Sequence, residues 1–214
     1  RPLRDWRVTH ADKGTSPIVD SQHHQQQVGR AFEQLLAGHP YLVEPNRRQR
    51  LILDLDVYRT YEWAMHVEDG REAVVHVAYA EALVDEAGHK GVRYEIEGKQ
   101  FPKVRDRFTL DGQSRWLSPL WWRAGRYLEI VVETLDEPLT IRGFELMHRH
   151  YPLEQEGRFH CEDESVIAVR DLCERSLTCC MHETFMDCPF WEQKQFVGDT
   201  RLQALVARTL GSDQ

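Results

Sequence analysis

The feature that most constrains this chain is a change of hydrophobic period part-way along it. Residues 41–153 repeat short apolar runs, several of them alternating apolar with polar, and separate them with turn residues. The segment 51–57 alternates in its second half, 62–67 follows, and Asp69-Gly70 then supplies a turn. The segment 73–83 puts Val75, Val77 and Tyr79 on one face, and Gly88 and Gly91 mark the next turn. Further runs lie at 93–96, 105–110, 127–133 and 139–147, with Asp111-Gly112 between two of them. Alternation with a period of two sends every second side chain to one face of a strand. Asp-Gly suits hairpins because both residues tolerate positive φ. Strands spaced about 8–12 residues apart with turns between them predict a β-sandwich.

From residue 162 the period changes to three-and-four. Val166, Val169, Leu172, Cys173, Ser176 and Leu177 share one helical face, and Asp163 or Ser165 can cap its start. This helix is expected to run toward Thr184 and to end before Pro189. A second is expected from Asp199-Thr200, with Leu202, Leu205 and Val206 apolar. Residues 1–40 read as polar and irregular, with a short helix compatible with 25–36 and stopped by Gly38-His39-Pro40. The organisation expected is therefore a polar segment over 1–40, a β-sandwich over 41–154 and a helical part over 155–214. Two helices cannot bury both their faces alone, so the helical part reads as the start of a larger domain. With Arg1 in place of Met and no leader pattern after it, the chain reads as an excised or processed piece.

Composition narrows the function classes. The chain has 214 residues, 41% of them hydrophobic and 29% charged, an ordinary globular mixture. A formal net charge of -8 with interspersed signs argues against nucleic acid, whose phosphates want a basic face. No apolar run is long enough to cross a bilayer, so the chain reads as soluble, cytoplasm and periplasm both remaining open. The five cysteines lack the regular spacing of a disulfide framework or a zinc finger and read as helix thiols. His23-His24 reads as solvated, and no acidic cluster is specific for calcium, so no metal site is assigned. Arg47-Arg48-Gln49-Arg50 reads as a solvated basic turn and Glu81 as a partnered structural carboxylate. Trp121-Trp122 is either an exposed sugar platform or core.

The densest chemistry is in the segment joining the two helices, Met186 to Arg201. It holds three carboxylates, Asp187, Glu192 and Asp199, with Phe190, Trp191 and Phe196. In one reading the aspartates cap helix ends, Glu192 is a solvated loop charge and the aromatics are core. In the other the segment does carbohydrate chemistry. Glycosidic cleavage needs one protonated and one ionised carboxyl group, and aromatic rings beside a Glu would raise its pKa by desolvation.

Asp187-Cys188-Pro189, then Glu192, then Gly198-Asp199-Thr200-Arg201-Leu202-Gln203, preceded by Met181-His182-Glu183-Thr184, resembles the signature of the α-L-rhamnosidase family of glycoside hydrolases. Less specifically, 78–83 and 116–129 resemble strands of that family's sandwich, although 121–125 departs from the commoner wording. The resemblance covers roughly residues 41–214. One form of the family signature has an Arg after the Pro; Phe190 stands here, so that Arg's contacts do not carry over. The resemblance implies an inverting enzyme that hydrolyses terminal α-L-rhamnosyl bonds without a cofactor. It implies a jelly-roll-like sandwich followed by the first helices of an (α/α)6 barrel. Glu192 would be the general acid, and Asp187 and Asp199 would bind rhamnose hydroxyls. Trp191 and Phe190 would line the sugar site, while Cys188 would be structural. His182 itself reads as a packing or hydrogen-bonding residue. The general base is a distant downstream Glu in the family, so the expected partners are a rhamnose-containing oligosaccharide or glycoside and the remainder of a parent chain. These 214 residues alone are then expected to be inactive. The alternative is a non-catalytic carbohydrate-binding or structural β-sandwich module.

Overall fold

The computed structural model describes residues 7–12 (backbone only), 30, 32–35, 37–154 and 157–211. The chain divides into two compact units, Arg1–His148 and Arg149–Gln214. The first is an antiparallel sheet. Its strands are β1 (Arg7–Asp12), β2 (Tyr41–Val43), β3 (Arg48–Asp69), β4 (Val74–Ala80), β5 (Arg105–Thr109), β6 (Gly112–Leu117), β7 (Arg123–Glu133) and β8 (Leu139–His148). They run in the order β2-β8-β3-β7-β4-β5, with β1 and β6 also paired to β3. The chain is thus mainly β with few helices, consistent with a sandwich.

β3 organises the unit. Its first half, Arg48 to Asp54, pairs with β7 on one side, and within it Arg50 to Asp54 pair with β1 on the other. Its second half, Tyr61 to Asp69, pairs with β8, and within it Met65 to Asp69 pair with β6. The register against β7 breaks between Asp54 and Arg59, where Asp56 takes φ 66°. Such an irregularity bends a strand and lets it change partners. Two segments that look separate in the sequence are therefore one strand of 22 residues. Leu51, Ile52, Leu53 and Leu55 are all buried, so both faces of the first half are covered. The second half alternates, with Tyr61, Trp63, Met65 and Val67 inside.

The core gathers on that alternating face with Val75, Val77 and Tyr79 from β4 and Leu128, Ile130 and Val132 from β7. Trp63 packs edge-on to Phe108 at 5.6 Å and donates its indole N–H to Tyr79 Oη at 2.6 Å. Tyr79 donates in turn to Asp106 Oδ2 at 2.6 Å, and Arg123 grips the same carboxylate with Nε at 2.9 Å and Nη2 at 2.6 Å. Gly125 (φ 150°) is required where β7 passes β4, because a Cβ there would lie 2.8 Å from Ala80 O.

Several expectations are corrected. Residues 7–12, read as irregular, form a strand, because their partner β3 lies far along the chain. Residues 93–96 form turns rather than a strand, with Glu95 N donating to Val92 O and Lys99 N to Ile96 O. Arg48 and Arg50 are not a solvated turn. They open β3, where Arg48 meets Glu133 at 2.6 Å and the buried Arg50 meets Glu129 at 3.5 Å, both acids lying on β7. Glu81, by contrast, is partnered as expected, by Lys90 at 2.7 Å. Trp122 is buried in the core while Trp121 is 46% exposed, so the two do not form one platform. Arg30 and residues 32–35 are helical, with Phe32 and Leu35 buried; the rest of the helix expected over 25–36, and His23-His24, lie outside the described residues.

The second unit carries α1 (Glu164–Cys180) and α2 (Val197–Leu210). Asp163 caps α1, its carboxylate accepting from Ser165 N at 2.9 Å. The helix stops at Cys180, short of Thr184, where His182 folds back and Nε2 donates to Cys179 O at 3.0 Å. That bond occupies one of the carbonyls a helix end leaves without a partner. α2 starts at Val197, two residues before the expected cap. Phe196 is the N-cap without a side-chain bond, and Asp199 lies in the first turn, where its charge complements the helix dipole.

Candidate functional site

The segment between α1 and α2 is tied down at its neck. Asp187 N donates to Lys194 O at 2.9 Å, and Lys194 N donates back to Asp187 Oδ1 at 3.0 Å. Between these ends the chain makes a tight turn over 189–192 that Pro189, with its fixed φ, is suited to start. Gln193 closes it in the left-handed region (φ 51°), its amide donating to Cys188 O at 3.2 Å and its side chain to Pro189 O at 2.9 Å. Glu192 N points into the turn, 3.2 Å from Cys188 Sγ. Cys188 is thus a structural acceptor that fixes the backbone from which the Glu192 side chain projects.

The loop is also fastened to both helices. Met186 N donates to Cys180 O at 2.8 Å and the Cys180 thiol lies 3.9 Å from Asp187 O. From α2, Gln203 Nε2 donates to Met186 O at 2.7 Å. Gln203, which the signature contains but to which it gave no role, and Gln193 are positioning residues; a Gln on a helix or after a turn carries no distinctive signal of its own. Lys194 acts through its backbone alone, so its side chain could not have announced it.

The electrostatics separate the groups. Partial desolvation raises the pKa of Asp187, but amide donors from Lys194 and Cys188 outweigh it and hold the carboxyl below its ordinary value. Asp187 is therefore an anion at neutral pH. Burial, with Cys188 and Asp187 beside it, pushes the Cys180 thiol up to about 11, so it stays protonated and unreactive. Glu192 and Asp199 are exposed. Phe190 is buried and Trp191 is 58% exposed, their rings edge-on at 4.8 Å. The apolar enclosure expected around Glu192 is therefore not found among the described residues.

A cleft of about 320 Å³ opens beside this loop, lined chiefly by Tyr151, Met181, His182, Phe185, Ala207 and Arg208. Desolvation lowers the pKa of His182 within it, and Arg149 pairs with Glu183 at 3.1 Å on its rim. Asp187, Glu192 and Asp199 do not line it. Among the described residues no group of three or more His, Cys, Asp or Glu could hold a metal ion, and no helix is long and apolar enough to cross a membrane.

Comparison with known proteins bears on residues 154–212, which match the bacterial alpha-L-rhamnosidase six-hairpin glycosidase domain. No curated protein matches the chain. Two solved structures share the fold. A GH78 family rhamnosidase of Bacillus sp. GL1 is 22% identical with a TM-score of 0.63, over 80% of this chain and 17% of that one. A rhamnosidase from Klebsiella oxytoca with rhamnose bound is 16% identical with a TM-score of 0.64, over 98% of this chain and 40% of that one. The chain therefore spans less than half the length of either. The α-L-rhamnosidase resemblance read from the loop holds for the segment that contains it.

Proposed function

With residues 154–212 carrying the α-L-rhamnosidase family's glycosidase signature, we propose that this chain supplies the acid half of a glycoside hydrolase site. The reaction is hydrolysis of terminal α-L-rhamnosyl bonds with inversion. Glu192 is the general acid that protonates the leaving oxygen. Asp187, an anion at neutral pH, binds rhamnose hydroxyls and stabilises positive charge developing at the reacting carbon, and Asp199 acts with it. Trp191 offers an exposed ring to the sugar, while Phe190 anchors it from the buried side.

One observation supports this reading most. The loop holding Glu192 is closed by the Asp187–Lys194 pair and fastened to both helices, and it coincides with the matched segment. A general acid has to be held in place while its proton moves, and a tethered turn does that. The domain reading belongs to the same proposal: α1 and α2 are the first helices of an (α/α)6 barrel following a jelly-roll-like sandwich. The water-activating base is assigned to none of these 214 residues. An inverting pair stands about 6.5–9.5 Å apart, with water between. The 214 residues alone should release no p-nitrophenol from p-nitrophenyl α-L-rhamnoside, and turnover by them would refute the half-site assignment. In a longer protein containing this sequence, Glu192→Gln should lower kcat/KM on poor leaving groups by about 10²–10⁴. Retained activity there would refute the acid assignment.

A further inference from the structure

We propose that the outer face of β3, β6 and β8 is a second sugar-binding surface, a platform for neutral glycans centred on Trp116. It lies in the sheet unit and does not rest on the assignment of Glu192.

The strand register brings three residues into one row: Trp116 on β6 opposite His66 on β3, and His66 opposite Gly143 on β8. The Trp116 indole lies over the His66 ring, centroids 5.0 Å apart and planes 16° apart. Its far edge reaches across to Gly143, where a Cβ would sit 3.6 Å from Trp116 Cη2. Anything longer than a methyl group at 143 would lift the indole away. The glycine, at a register shift in the ladder, thus lets the ring lie flat along the sheet. Trp116 is 52% exposed in this pose, and a large flat apolar surface kept in water is an informative exception.

The rim is polar and already oriented. His66 Nε2 and Ser114 Oγ are 3.0 Å apart, Ser114 Oγ lies 3.4 Å from Glu68 Oε1, and Arg142 Nε donates to Glu68 Oε2 at 2.7 Å. The Arg142 bond holds the Glu68 carboxyl below its ordinary range, so it remains a charged acceptor. Exposed Glu62 and Glu145 stand on the same face, Glu145 opposite Ala64 in the ladder. A flat ring edged by fixed donors and acceptors is what a pyranose needs. Its C–H face stacks on the indole while its hydroxyls bond to carboxylate and guanidinium. Glu145 adds a carboxylate beside the Glu68–Arg142 pair, which disfavours uronates, phosphates and nucleic acid and leaves neutral sugars. The exposed apolar area is the indole and the half-exposed Met147 opposite Glu62, too small for a lipid surface.

The 214-residue chain is titrated with L-rhamnose, xylohexaose and oligogalacturonate while the indole N–H signals are followed by NMR. A neutral probe should move the Trp116 signal. Trp116→Ala should weaken its binding about tenfold, the ~1.4 kcal/mol of a good aromatic contact. Gly143→Leu should weaken it too by lifting the ring, whereas Trp121→Ala should leave it unchanged. Thermal melting of each variant confirms that it is folded. The proposal is overturned if no neutral probe moves the Trp116 signal up to its solubility limit. It is equally overturned if binding survives in folded Trp116→Ala, or if oligogalacturonate binds as tightly as the neutral probes.

Discussion

The sheet unit and the helical unit bury their apolar residues to opposite degrees. In the sheet unit Trp63, Tyr61, Tyr79, Tyr127 and Leu128 are at most 1% exposed, and Asp106 and Arg123 answer one another beneath them. In the helical unit most of the apolar positions read from the sequence face outward: Val169 is 59% exposed, Leu172 53%, and Leu202 and Leu205 65% each, while Leu177 is buried. Its own buried cluster is small, Leu177, Met181 and Ala207 with Leu153, Phe185 and Leu210 against them. The sheet unit closes a core by itself, while the helices hold a tethered loop and leave an apolar face open. An open stripe of that length is characteristic of a face that packs against further structure.

That contrast can be broken by mutation, most severely first. Trp63→Ala should cost about 3–5 kcal/mol in chemical denaturation of the sheet unit, the loss expected for a large core aromatic. A cost under about 1 kcal/mol would mean the core lies elsewhere. Asp106→Ala should cost about 2–3 kcal/mol, below the value for a fully buried pair because both partners keep some solvent contact. Equal stability of Asp106→Ala and wild type would remove the network's role.

Asp187→Ala comes next, at about 1 kcal/mol on the helical unit, the size of a lost capping bond. Asp187 adds a pH signature. Its folded pKa is below the ordinary 3.8, so its contribution is present above that value and lost as the pH falls through the lower folded one. The acid limb of a stability profile should therefore flatten in the variant, and an unchanged limb would contradict the assignment. Leu202→Ala and Leu205→Ala should change stability by no more than about 0.5 kcal/mol. A loss above about 2 kcal/mol would show that this face is covered in solution, which analytical ultracentrifugation would trace to a second copy.

Most of the sheet was legible because strand alternation is local. What the sequence concealed was long-range. The unity of β3 was hidden because the polar Asp54 and Asp56 read as a break between strands, while in the fold Asp54 is buried on Arg126 at 2.8 Å. β1 was invisible because its ladder partner sits some forty residues away along a polar segment. The run at 93–96 looked like a strand from its residue types, yet Glu95 N and Ile96 O are taken by turns and Arg93 O by the Tyr127 hydroxyl. Both helices were legible from spacing, and of the two caps the residue types allowed, Asp163 and Ser165, the structure uses Asp163. Their ends shifted because the His182 imidazole folds back onto the Cys179 carbonyl and because Phe196 caps without its side chain. At the candidate site the residue types drew attention to Asp187 and Glu192, but spacing left Glu192 an ordinary loop charge. The extended resemblance gave it a role. The tether from Asp187 to Lys194 could be found only in three dimensions.

The central claim is that Glu192 delivers a proton to the leaving oxygen. It is tested most directly by comparing Glu192→Gln with wild type on aryl α-L-rhamnosides of graded leaving-group pKa, in a longer protein that contains this sequence. The account predicts a deficit that is small for the best leaving group and grows steadily as the leaving group worsens, because only poor ones need the acid. An equal deficit across the series, or none at all, would contradict it.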